Sequence, residues 1–390
     1  MRSALLPLLP LLLACARPEP STTTSPSSSP PAPLSATPSP LLSSPAPAPE
    51  PAPAPLPSSS SPLPSSSSPS ASPPPLDVFD LHVDLGWQMH KHHADIRSPS
   101  RQASFDRLRR GQTRTLVLPL FIERGHTRST ADAQAEYLAT FSALTQGLSR
   151  ASAELGLRTM LSFEGADGFA QDHAAALAWV SRGACLWGLV HSRSNALGGA
   201  SQDPDPAKRS LGLSTEGKSL AQALITHGAL LDAAHAGDAT LEDLAAIAEQ
   251  RGAPLVDSHT GVRALANIPR NVSDAHIRRI ARTGGIVGVS LHTGHLSESA
   301  RKPVSLADYA AHILHVKQLV GIAHVAIGSD LEGDITLPAG VDGAAVWPAL
   351  ATVLRDAGLS DADLRALFHA NAERVFAWSK AHGCVPQGVP

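Results

Sequence analysis

The feature that most constrains this chain is an alternation. Between residues 76 and 385, continuous apolar runs take turns with segments of helical period. The runs are 78–85 (VFDLHVDL), 114–121 (RTLVLPLF), 158–164 (RTMLSFE), 185–191 (CLWGLVH), 229–235 (ALLDAAH), 254–259 (PLVDSH), 285–291 (GIVGVSL) and 324–330 (HVAIGSD). Unbroken apolar runs, rather than strict every-other-residue patterns, suit strands covered on both faces. In 131–155, Tyr137, Leu138, Phe141, Leu144 and Leu148 share one helical face. Segments 305–320 and 360–378 keep the same period, and Ser214 and Ser273 stand where helix N-caps are expected. Eight strands alternating with helices predict an α/β fold, a (β/α)8 TIM barrel.

The chain before this region cannot add to such a core. Residues 1–15 read as an exported segment: Arg2 supplies the positive start, and Leu5–Leu13 form an apolar stretch too short to span a bilayer. Leu12-Leu13-Ala14-Cys15 resembles a bacterial lipobox, in which the cysteine is lipidated and becomes the first mature residue. Residues 16–75 are almost entirely Pro, Ser, Ala, Thr and Leu. That composition reads as a disordered, extended stalk, holding a domain at 76–385 off a membrane. The expected location is a bacterial membrane-anchored lipoprotein on the periplasmic or extracellular face. A net charge of −3 without a basic run gives nucleic-acid binding no support. Cys185 and Cys384 are too few and too distant for a disulfide framework, so a buried thiol and a tail thiol are expected.

Polar residues gather at the C-terminal ends of the runs. His82 and Asp84 end the first, Glu164 the third, His191 the fourth, His235 the fifth, His259 the sixth and Asp330 the eighth. Barrel active sites lie at that face. His82 and Asp84, two apart on a strand, point the same way and can share one metal ion. His235 and His259 end neighbouring strands and can hold a second. Imidazole and carboxylate ligands favour zinc. No Lys ends a strand, so Glu164 is the candidate bridge between two ions. The cluster His90, His92 and His93 reads as a solvated loop, His324 as structural, and His276, His312 and His315 as helical residues without a role.

Several segments carry a resemblance. DLHVDL, FEG at 163–165, LLDAAHAG at 230–237, PLVDSHTGVRAL at 254–265, PRNVSD at 269–274 and HVAIGSDLEG at 324–333 resemble, in order and rough spacing, the motifs of the membrane (renal) dipeptidase family, peptidase family M19. The resemblance implies two zinc ions per chain, held by His82, Asp84, His235 and His259 and bridged by Glu164. It implies His191 for the scissile carbonyl and oxyanion, Arg270 for the substrate carboxylate and Asp330 for the proton. The implied reaction is dipeptide hydrolysis by a two-metal-activated hydroxide, with D-residues accepted at the C-terminal position. The chain departs from the family at Leu331-Glu332, where D-F-D-G is usual, at Ala370-Asn371 in place of Gly-Asn, and at Val83 and Gly86. Two other readings stay open: an amidohydrolase for lactams or N-acyl amino acids, and a barrel lipoprotein that binds without turnover. The oligomeric state, a homodimer included, is not fixed by the sequence.

Overall fold

A computed structural model describes residues 75–122, 129–299 and 303–389, and each of the eight apolar runs carries a strand there. They are β1 (Val78–Asp80), β2 (Thr113–Phe121), β3 (Arg158–Glu164), β4 (Ala184–Gly188), β5 (Leu230–Asp232), β6 (Leu255–Thr260), β7 (Ile286–Val289) and β8 (Val325–Ile327). All pair in parallel and in chain order, and β1 closes on β8 through Asp80 and Ile327, so the barrel is complete. The expected signal peptide, Cys15 and all but the last residue of the expected stalk lie outside the described residues.

Two apolar clusters divide the interior. In the smaller one every strand contributes: Phe79, Val117, Met160, Leu186, Leu230, Val256, Ile286 and Ala326. These fill the lumen, and Val375 and Phe376 of the helix Asn371–Ala381 pack against them, with Phe376 stacked on Phe79 at 5.4 Å. The larger cluster lies between the strands and the surrounding helices. A filled lumen leaves the opposite, C-terminal rim as the place where polar side chains can converge.

Several expected details change. Ser214 and Ser273 do cap their helices, accepting from the amides of Gly217 and His276. In the helix Thr130–Leu155, Tyr137, Leu144 and Leu148 are buried, but Leu138 is 49% exposed. Its place on the apolar face was an overreach of the helical wheel: the buried row runs through Ala133, Thr140 and Ala151 instead. His90 and His92 belong to the helix Leu85–His92 rather than to a loop, and His93 ends it in the left-handed region at φ 50°. His90 reaches Glu136 at 2.9 Å.

Cys185 and Cys384 are not free thiols but a disulfide, with Cα atoms 5.8 Å apart across 199 residues. The chain end folds back under the barrel: the Gln387 amide donates to the Gly183 carbonyl and the Leu161 amide to the Gln387 carbonyl. Spacing alone could not reveal this, because the pairing depends on where the tail docks. Closing so long a loop is worth about 2–4 kcal/mol. Reduction, or Cys384→Ser, is therefore expected to lower the melting temperature by roughly 5–10 °C. A reductant should shift the wild type and leave Cys384→Ser unmoved, which differential scanning calorimetry would read directly.

Candidate metal and substrate site

Most of the convergent residues stand just past the strands, not on them. Glu164 ends β3 and His259 lies within β6, but His82 and Asp84 follow β1, and His191, His235 and Asp330 each fall three residues beyond β4, β5 and β8. The expected strands ran too long there because the backbone leaves the extended region. His235 and Asp330 have φ of 64° and 65°, which no strand residue adopts. His259 is aimed by an irregularity. Val256 faces the lumen, so strict alternation would turn His259 away. The register of β6 against β7 shifts between Asp257 and Thr260, with one extra residue on β6. A bulge of that kind reverses the parity and brings His259 to the lumen side.

Glu164 is the centre. Its Oε1 lies 2.9 Å from His235 Nε2, 3.3 Å from His259 Nε2 and 3.7 Å from His191 Nε2, while its Oε2 lies 3.6 Å from His82 Nε2. His82 Nε2 is 3.4 Å from Asp84 Oδ2. The two carboxylate oxygens thus face different sets of nitrogens. Three trios bring ligand atoms within 4.8 Å of one another: His82, Asp84 and Glu164; Glu164, His191 and His235; and His82, His259 and Asp330. Burial alone would raise Glu164, yet His191, His82, His235 and His259 hold it well below the usual carboxylate range. Burial works against a charge on His82, but Glu164 and Asp84 lift it well above the ordinary imidazole value. Burial, with Asp84 beside it, drives Asp330 well above the carboxylate range.

The donor set fits a divalent metal. His82 Nε2 and Asp84 Oδ1 are buried with no hydrogen-bond partner. His235 Nε2 and His259 Nε2 lie 3.0 Å apart and both face Glu164 Oε1, so two imidazole nitrogens and a carboxylate oxygen converge on one point. Burial keeps both rings well below the ordinary imidazole value, neutral as ligation requires.

Residues that sequence reasoning did not single out orient these side chains. Gln202 Oε1 meets His235 Nδ1 at 3.0 Å, and the Ser258 hydroxyl meets His259 Nδ1 at 2.9 Å. Each contact fixes which ring nitrogen is free for the site. Asp80 Oδ1 accepts the amides of His82 and Ser329, and Asp232 Oδ1 accepts those of Ala234 and Ser258. The loop carrying Asp330 holds three non-glycine residues at positive φ, Asp330, Glu332 and Asp334. Buried Glu332, one of the family departures, accepts the Ala103 amide and faces Arg101. Gln88 donates to the Glu332 carbonyl and to Asp334.

The trios border a cavity of about 440 Å³, lined on one part by Trp87, Phe121 and Ile335 and elsewhere by His191, Gln202, Asp330, His292 and His295. His292 and His295 were missed by the sequence reading. His292 also stands three residues past its strand, β7, and the rule that found the other convergent residues, applied to 285–291, would have found it. Arg270 does not line this cavity. It is 4% exposed, its Nη2 donates to the His259 carbonyl at 2.6 Å, and its Nε has no partner. His276, His312 and His315 lie on helices away from the trios, and His324 bonds the Gly285 carbonyl.

The family model for membrane dipeptidase (peptidase family M19) matches residues 75–382. Dipeptidase aclJ of Aspergillus oryzae is 32% identical over 187 residues, 48% of this chain and 43% of that protein. Dipeptidase ataJ of Aspergillus terreus is 29% identical over 179 residues, 46% of this chain and 43% of that protein. The chain thus matches less than half the length of these curated relatives. Among solved structures, dipeptidase AC, a metallopeptidase of family M19, superimposes with a TM-score of 0.69 at 23% identity, covering 78% of this chain and 99% of that one. A metallopeptidase from Rhodobacter sphaeroides, solved with a phosphinate mimic of the dipeptide L-Ala-D-Ala, gives 0.67 at 22%, covering 77% and 99%. At these identities the likeness is one of fold.

The geometry makes Glu164 common to two of the three trios. Glu164→Ala is therefore expected to lose most of the bound divalent metal, not half of it, while the barrel still folds. Metal analysis checks the first part. A melting scan checks the second: metal at about a hundred times its dissociation constant stabilises by about 2.7 kcal/mol, so stripped wild type and untreated Glu164→Ala should melt close together.

Proposed function

The chain belongs to the membrane dipeptidase family, peptidase family M19, and on that premise we propose that it is a zinc-dependent dipeptidase with two ions per chain. The observation that carries the reading is the division of Glu164 between His82 on one oxygen and His235, His259 and His191 on the other. His82 and Asp84 would hold one ion, His235 and His259 the other, with Glu164 shared. Bound zinc supplies a Lewis acid and lowers the pKa of water towards neutrality.

The chain's own residues divide the remaining work. His191, about one third exposed and lining the cavity, donates from its ring to the scissile carbonyl oxygen as negative charge gathers there. Asp330 takes a proton from the attacking water at a carboxylate oxygen and returns it to the departing amine. Arg270 stands behind the cavity, its Nε without a partner, and reads the substrate's free carboxylate. A dipeptide has that group a fixed distance from the scissile bond; a longer peptide does not. Trp87 and Phe121 exclude water from the other side.

We also propose export and lipid attachment at Cys15, with 16–75 as the stalk. The Cys185–Cys384 disulfide supports an oxidising compartment. Among the described residues no helix is long and apolar enough to cross a membrane.

Two substitutions test the chemistry. Asp330→Asn keeps the shape but cannot take the proton, so kcat should fall by about two orders of magnitude or more with zinc content unchanged. Near-normal kcat would remove Asp330 from the reaction. Arg270→Ala should cost about 2–4 kcal/mol in kcat/KM for free dipeptides, and Arg270→Lys less, because a lysine loses the planar fork. Wild type should strongly prefer a free dipeptide over its C-terminal amide. Equal cleavage of the two would mean that the carboxylate is not read, and would turn the assignment towards a broader amidohydrolase.

A further inference from the structure

One carboxylate in the cavity has no part in the reading above. Asp334 lines the cavity, is exposed, and belongs to none of the three trios of ligand atoms. Its Oδ1 accepts from Gln88 Nε2 at 3.2 Å, and among the described residues its Oδ2 meets no donor. The neighbouring residue brings it in. A Cβ on Gly333 would come 2.6 Å from Asp330 Oδ1 and 2.7 Å from Asp84 Oδ2, so only glycine lets the backbone press against those two carboxylates. One residue on, Asp334 stands at φ 55°, in the left-handed region that Asp and Asn enter more readily than other non-glycine residues. Arg101, the cation held in this network, is already committed: its Nη1 lies 3.3 Å from Glu332 Oε2 and donates to Gln88 Oε1.

An aromatic wall shares the cavity. Trp87 precedes Gln88 on the helix Leu85–His92 and lines the same space. Its ring centroid lies 5.8 Å from that of Phe121, which in turn lies 5.2 Å from that of His191. His92 packs against Trp87 at 4.7 Å. Aromatic faces beside a carboxylate with one oxygen to spare suit a long cationic side chain. Its methylenes cover the rings, and its charged head meets the ring quadrupole and the carboxylate.

We propose that Trp87, Phe121 and Asp334 form the subsite for the side chain of the substrate's amino-terminal residue, and that Asp334 makes the enzyme favour lysine or arginine there. The inference rests on the dipeptidase reading and on Arg270 as the partner of the free carboxylate. Arg270 follows β6, whereas Asp334 and Trp87 follow β8 and β1, two and three strands further round the ring. A dipeptide held by its carboxylate at β6 turns its other residue away from that edge. The α-ammonium, two bonds from the scissile carbonyl carbon, stays near the deeper carboxylates, Asp84 and Asp330, which are 4% and 9% exposed. A lysine ammonium, four methylenes further out, reaches the rim. Because Asp334 stands outside the trios, its charge is still uncompensated when they hold metal.

Two substrates that differ only by an ammonium group test this. Zinc-loaded full-length protein is assayed on Lys-Ala and norleucyl-Ala, with Ala-Lys and Ala-norleucine for the other position. Wild type should favour Lys-Ala over norleucyl-Ala by about fivefold or more in kcat/KM at low salt. An ion pair at an exposed rim is screened, so the ratio should fall between about 0.05 M and about 0.5 M sodium chloride. Asp334→Asn keeps the backbone conformation and the acceptor for Gln88. It should bring the ratio near one, the change appearing as a higher KM for Lys-Ala. If Asp334→Asn fails to fold by melting scan, the salt dependence of wild type decides the matter. A wild-type ratio near one, or a ratio that either salt or Asp334→Asn fails to move, overturns the subsite. Equal losses on both peptides in Asp334→Asn also overturn it, since the carboxylate would then read the α-ammonium common to both. So does a stronger preference for Ala-Lys over Ala-norleucine, which would put the cation on the other residue. Failure to cleave any of the four dipeptides is a different result: it sinks the dipeptidase reading itself.

Discussion

A buried carboxylate with four imidazoles around it governs this structure. Glu164 sits at the rim of a lumen filled from below by one apolar side chain per strand, where an unpaired charge would cost several kcal/mol. His82, His191, His235 and His259 come from four different strand ends and all face it. The barrel is what makes this possible, because only a closed ring of parallel strands turns every C-terminus to one rim. Conversely, the cluster is a cost to the fold until cations join it. Burial holds His235 and His259 well below the ordinary imidazole value and pushes Asp330 well above the carboxylate range, so every one of these groups is short of the opposite charge that a cation would bring.

Holding ligands beyond the strand ends requires backbone that strands do not use. His235, Asp330, Glu332 and Asp334 all have positive φ, at a cost on the order of 1–3 kcal/mol each when the surroundings must enforce it. The enforcement around Asp330 is visible. Glu332 is anchored on the Ala103 amide and near Arg101, and Gln88 ties the Glu332 carbonyl to Asp334. The departure from the family's usual aspartate at this point therefore has a structural use. The longer glutamate reaches the 101–103 segment and stays out of the cavity, while Asp334 lines it.

The barrel was legible because its signal is repeated. Eight apolar runs in register with helical segments leave little room for another fold, and an error of three residues at a strand end does not change the topology. The convergence of His82, Asp84, Glu164, His235 and His259 was legible for the same reason: each stands at the end of an apolar run. What escaped depends on one residue more or less in a strand, or on distant docking. The bulge in β6 that turns His259 inward has no mark in PLVDSH. Gln202 lies thirty-three residues from His235 in sequence, and no local pattern joins them. The disulfide depends on the tail's path beneath β3 and β4. Arg270 was read as a loop residue open to substrate, but its loop folds over it, and the imidazoles of His292 and His295 occupy the cavity wall that it was expected to line.

One device appears twice and explains an aspartate that binds nothing. Asp80 ends β1 and Asp232 ends β5. Each turns one carboxylate oxygen to accept an amide two residues on, at His82 and at Ala234. The same oxygen accepts an amide from the next strand, Ser329 for Asp80 and Ser258 for Asp232. Those serines immediately precede Asp330 and His259. Each aspartate thus couples a site residue following its own strand, His82 or His235, to one carried by the neighbouring strand, Asp330 or His259. Burial raises both carboxyls, Asp80 to about 6, while the amides pull the other way. A glutamate, one methylene longer, would overshoot the two-residue turn. The first aspartate of the D-x-H-x-D motif and that of LLDAAH therefore serve as hinges that set the spacing of the two halves of the site. Glu164, lying between those halves, can divide its oxygens only because that spacing is fixed.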